Sequence, residues 1–126
     1  MKTLIAFAIA GAVVFAFAKP APADDTSASG KSVTVTGQVV DLSCFLSAGA
    51  HGASHVKCAT ACAKAGGALG ILTSDGNVLV SIEPGPGKDP NAKLLPYVEQ
   101  SVTVTGTEYD AHGIKSIAVA SVTASK

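Results

Sequence analysis

The sequence predicts a mainly β protein, a small five-stranded barrel with a Cys/His-bearing helical insertion between its first and second strands. Three observations carry this expectation. β-Branched residues alternate with polar ones over segments of strand length. Two of those segments are interrupted by glycine at the same point, and a stretch rich in Ala, Gly and Cys, 43–68, separates the first strand from the second.

Taken in order, residues 4–18 (LIAFAIAGAVVFAFA) are uncharged and follow Lys2. A membrane-spanning helix needs about 20 apolar residues, so this shorter run reads as the core of a secretory signal peptide. Lys19-Pro20 breaks it, and APA at 21–23 offers a small-x-small cleavage site, with AFA at 16–18 as second choice. Residues 1–23 are therefore expected to be a signal peptide, with a periplasmic or secreted product and no membrane span after cleavage. Residues 24–31 (DDTSASGK) read as a disordered leader and 32–124 as one barrel domain. The 103 residues after Ala23 suffice for one small domain. They hold seven lysines, no arginine, nine carboxylates and a single phenylalanine, Phe45. Nucleic-acid binding calls for a basic face and stacking aromatics, so that class is excluded.

The first strand, KSVTVTGQVVDL (31–42), alternates Val and Thr, and QSVTVTGTEYD (100–110) repeats its SVTVTG letter for letter. The repeat points to similar strand geometry more than to duplication, because the sequences diverge at once afterwards. Gly37 and Gly106 mark a bulge or sharp bend in each copy. LGILTS (69–74) and VLVSI (78–82) flank Asp75-Gly76-Asn77, a hairpin signal. EPGPGKDP (83–90) is a loop, and NAKLLPYVEQ (91–100) holds one or two helical turns before Pro96. The last pair, 101–109 and 114–123, is joined by a turn at 110–113 in which His112 is solvated. Three strands, a short helix and two strands follow the order of an OB-fold. An immunoglobulin-like sandwich would want about seven strands. OB barrels bind ligands near the connections joining strands one to two and four to five. The first of these is the long one here, and it holds all three cysteines, Cys44, Cys58 and Cys62.

Within the insertion, Ser54 is placed to cap a helix that Gly66-Gly67 stops. On that helix His55, Cys58 and Cys62 stand at i, i+3 and i+7, on one face. Cys44, at the end of the first strand, folds back over that face through a loop loosened by Gly49 and Gly52. Three thiolates and an imidazole make a tetrahedral set for Zn²⁺, and soft sulfur also suits Cu(I). The spacing C-x10-H-x2-C-x3-C follows no standard zinc-finger pattern. His51 or Asp41 would serve as an additional ligand or orient His55.

Other readings compete with the metal site. A disulfide from Cys44 to Cys58 or Cys62 would staple the insertion in an exported binding or assembly module, with another exported protein as partner. Its weakness is the odd thiol left over. The cysteines would otherwise be small buried apolar residues. Asp41, Cys44 and His55 contain the parts of a nucleophile, base and orienter, yet no family-specific signature surrounds Cys44. Catalysis is the weaker reading. The C-x-x-x-C spacing with a histidine resembles the copper sites of Sco-type assembly proteins, whose thioredoxin fold the strand order does not support.

Taken together, Asp41, Cys44, Phe45, His55, Cys58 and Cys62 form D-x-x-C-aromatic, then a Gly/His-rich loop, then H-x-x-C-x-x-x-C. In this the chain resembles a group of small exported bacterial proteins without an assigned activity. The likeness spans most of residues 31–124. It implies a secreted OB-like domain and brings no ligand with it.

Overall fold

β1 (Lys31–Asp41) pairs along both of its edges and so closes the sheet. The structure, a computed structural model, describes residues 29–126; the expected signal peptide and residues 24–28 of the leader lie outside the described residues. Lys31, expected both to end the leader and to start the first strand, belongs to the strand and pairs with Glu108. Residues 31–38 of β1 run antiparallel to β4 (Ser101–Ala111), and residues 37–41 run antiparallel to β2 (Leu69–Thr73). β2 turns into β3 (Val78–Ile82), β3 lies parallel to β5 (Ile114–Ala124), and β5 returns antiparallel to β4. The ring β1-β2-β3-β5-β4 is a closed five-stranded barrel of OB-like order, with its α-helices in the connection from β1 to β2.

The SVTVTG repeat acquires a structural meaning in this register. Val35 faces Val104, Gly37 faces Val102 and Val33 faces Gly106. The two copies are thus each other's partners about a local two-fold at Val35–Val104, and the Thr36 and Thr103 hydroxyls meet at 3.2 Å. Both glycines are needed for close approach. A Cβ on Gly37 would strike the Leu72 carbonyl oxygen, and one on Gly106 the Ala118 carbonyl oxygen. The expected irregularity at Gly106 is a register shift between Thr105 and Gly106. Gly37 instead sits where β1 passes from one partner strand to the other, paired with both Thr73 and Val102.

Val39, Leu69, Ile71, Leu79, Val102, Val104, Ile117 and Val119 fill the barrel. Neighbouring strand residues point to opposite faces, yet Val39 and Val40 are both wholly buried. The end of β1 is therefore covered from outside as well as inside. Leu94 and Val98, from the connection before β4, and Ala59 and Ala63, from the insertion, complete the core.

Three local expectations change. The first strand stops at Asp41, because Asp41 starts a helix, α1 (Leu42–Ala48); Cys44 is helical and not the end of a strand. Ser54 makes no cap: it lies inside a 3₁₀ turn (Ala53–His55) that runs straight into α2 (Val56–Lys64). Pro96 does not end the helical turns before β4 but sits inside a short 3₁₀ helix, Leu95–Tyr97. A proline at the start of such a turn loses no hydrogen bond.

Candidate metal centre

Asp41 begins the site. Its Oδ1 accepts the Ser43 amide at 2.8 Å and so caps α1. This satisfies one of the amide donors that a helix start leaves unpaired. The cap places Cys44 in the first turn of α1. Leu42 is buried and lies against Gly70, where a Cβ would come within 2.8 Å of Leu42 Cδ2. The helix closes at Gly49, at φ +66°, whose amide donates to the Phe45 carbonyl at 2.8 Å.

α2 approaches from the other side. Ala59 and Ala63 face the core, so Cys58 and Cys62, each one residue earlier, stand at the edge of the buried stripe. Cys58 is exposed and Cys62 half-buried. The helix ends as expected at the glycine pair: Gly66 takes φ +95°, its amide donates to Ala63, and the Gly67 amide donates to the Cys62 carbonyl at 2.8 Å. This Schellman pattern fixes the backbone at Cys62 itself. Asn91, also buried, holds the exit by donating to the Gly67 carbonyl and accepting the Leu69 amide.

Two trios of donor atoms result. The sulfurs of Cys44, Cys58 and Cys62 lie within 4.8 Å of one another, and so do one donor atom each of Asp41, Cys44 and His55. Thiolates on a tetrahedral zinc stand ~3.8 Å apart, given Zn–S bonds of about 2.3 Å, so little movement separates the sulfur trio from ligation. Cys44 belongs to both trios. His51 belongs to neither: its Nδ1 contacts the Gly49 carbonyl oxygen at 2.8 Å, and its ring meets Phe45 edge-on at 5.5 Å.

The electrostatics oppose free thiolates. The Asp41 carboxylate holds the proton on Cys62 and, helped by desolvation and by the other two thiols, pushes its pKa up to about 11. Cys44 is also raised, by desolvation first and then by the negative charge of Asp41 and the neighbouring Cys58. A catalytic thiol needs the reverse shift, since the thiolate is the nucleophile. A bound cation would reverse the effect, because coordination deprotonates thiols.

One residue of the site carries no signal in the sequence. Glu99 is buried at φ +60°, and its Oε2 accepts the Gly52 amide at 2.6 Å and Gln38 Nε2 at 3.1 Å. The Gly52 carbonyl in turn accepts the His55 amide at 2.8 Å. Glu99 thus ties the loop before α2 to the barrel.

No family model matches this chain, and no curated protein or solved structure proves similar to it. Among the described residues no helix is long and apolar enough to cross a membrane.

Proposed function

We propose that this chain is an exported metal-binding protein that takes a copper or zinc ion with ligands drawn from Cys44, Cys58, Cys62 and His55, for storage or delivery. One observation carries the reading. Three thiols from two separately capped helices converge on one another, a donor nitrogen of His55 lies within 4.8 Å of the Cys44 sulfur, and His55 Nε2 is buried without a hydrogen-bond partner. Buried polar atoms are ordinarily paired, so an orphan imidazole nitrogen next to clustered sulfur is what a ligand set looks like before it is filled. Exposure of Cys58 favours exchange with a partner over a closed structural site. Export rests on the apolar segment 4–18, and the likeness to small exported bacterial proteins points the same way.

The disulfide reading keeps a foothold in the same geometry, since Cys44 is near both Cys58 and Cys62. Native mass spectrometry of protein purified without chelator, followed by thiol counting in denaturant, separates the two. One bound Cu or Zn with three titratable thiols is the expected result. A metal-free mass two daltons light with one free thiol would replace the metal site by a staple.

A further inference from the structure

We propose that the centre contains two alternative coordination sets sharing Cys44: Cys44, Cys58 and Cys62 for a soft monovalent ion such as Cu(I), and Asp41, Cys44 and His55 for a borderline divalent ion such as Zn(II). This rests on the metal-binding reading above and divides it by ion.

The geometry gives two compact trios rather than one tetrahedral group of four. The sulfur atoms form one, and the carboxylate, thiol and imidazole donors form the other. The inner trio is singled out independently. Among the described residues three buried side-chain atoms lack a hydrogen-bond partner: Asp41 Oδ2, His55 Nε2 and Glu99 Oε1. Two of the three are carried by residues of the inner trio, Asp41 and His55. Asp41 is buried to within 1% of complete. Its Oδ1 is committed to the α1 cap, and the carboxylate also faces the Cys62 and Cys44 thiols, so Oδ2 can turn to an ion without unmaking the helix. A buried carboxylate and a buried imidazole nitrogen beside a thiol are the donor types a divalent borderline ion accepts, with a fourth position left to water. The outer trio contributes sulfur only, which selects for soft ions.

Burial grades the two sets. Asp41 lies inside, Cys44 and His55 are intermediate, and Cys58 is exposed. An ion on the thiols is open to exchange through the exposed Cys58, whereas the inner set has no exposed member and one fully buried one, Asp41. One sulfur cannot be the terminal ligand of two ions, so occupancy of one set displaces the other. Cu(I) and Zn(II) are therefore competitors for Cys44 and not for a common site.

The test measures Cu(I) and Zn(II) affinity separately, each by competition with a chromogenic chelator, on the wild type and three variants. The double variant Cys58→Ser/Cys62→Ser should lose about 100-fold or more in Cu(I) affinity and less than about 10-fold for Zn(II). Asp41→Asn/His55→Gln should show the opposite order, and Cys44→Ser should weaken both ions. Asparagine keeps the helix cap; if circular dichroism shows that this double variant is unfolded, His55→Gln alone carries the comparison. Cobalt(II) in place of zinc supplies a second readout, since its sulfur charge-transfer intensity should correspond to one thiolate. Parallel losses of both ions in both double variants, or cobalt intensity of three thiolates, would overturn the assignment in favour of a single Cys3His set. A wild type that binds neither ion defeats the metal-binding reading itself.

Discussion

Asp41 and Glu99 are the two buried acids of the described chain, and they act on the centre in different ways. Asp41 holds protons on the thiols. With the Cys62 pKa at about 11, only about one Cys62 in a thousand is thiolate near pH 8. In metal-free, reduced protein iodoacetamide should therefore modify the exposed Cys58 first and Cys62 last, as read by peptide mass mapping. Fast labelling of Cys62 would contradict the influence assigned to Asp41. Bound metal should protect all three. Glu99 acts through the Gly52 amide and so through the position of His55. Glu99→Ala strands that amide and should cost about 1–3 kcal/mol in urea unfolding. Glu99→Gln, which keeps an acceptor oxygen, should cost less; equal losses would show that Gly52 is not the partner that matters. Neither role of these acids is written locally. Glu99 meets Gly52 across 47 positions of chain, and no spacing rule reaches that far. The candidate ligands Cys44, His55, Cys58 and Cys62 stand out in the sequence because their chemistry is rare in so short a chain, and the fold brings them close enough to hold a metal.

Among the elements, the strands and the helical turns before β4 are legible in the sequence, and α1 is not. Alternation of Val and Thr survives into β1 and β4 because each has one face on the barrel core. α1 is seven residues long, too short for a 3.6-residue period to show, and its capping Asp41 follows Val39-Val40 as though the strand continued. α2 was legible through its helical spacing and its glycine stop, while its entry through a 3₁₀ turn was not, because Ser54 has the residue type of a cap without the position. The glycine stop has a consequence for the metal site. Gly66 has φ +95° with open space around it, so Gly66→Ala should cost about 1 kcal/mol through backbone strain alone. A Cβ on Gly67 would come within 2.8 Å of the Cys62 carbonyl oxygen. Gly67→Ala should therefore move Cys62 and lower metal affinity as well as stability. Comparing the two variants by chelator competition and urea unfolding separates the effects: equal affinities would mean that the helix end does not position Cys62.

At the scale of the molecule, charge is divided between barrel and insertion. Residues 42–68 contain Lys57 and Lys64 and no Asp or Glu, while the shifted charged groups outside the thiol cluster, Asp75 and Lys115, lie on the two hairpins. Thr73 and Asn77 donate to Asp75 in the β2–β3 turn and hold its pKa below the usual carboxylate range. A depressed carboxylate stabilises the fold above its unfolded pKa, near 4, and that contribution fades as pH falls through the folded value. Lys115 is raised by hydrogen bonding and attraction to Asp110, with Glu108 adding to it. It stabilises below its unfolded pKa, about 10.4, and loses that contribution as pH rises through the folded value. Both windows lie outside mild acid, so neither hairpin loses support between about pH 7 and pH 5. The proposed metal ligands should behave otherwise, since protons compete with a metal for thiolates and imidazole. Acidification should thus release the ion from a barrel that remains folded. Following metal with a dye and strand content by circular dichroism in one titration checks this. Metal lost by about pH 5 with an unchanged β spectrum is the expected outcome. Loss of both signals together would mean that the ion holds the barrel up, making the centre a structural clamp and not a delivery site.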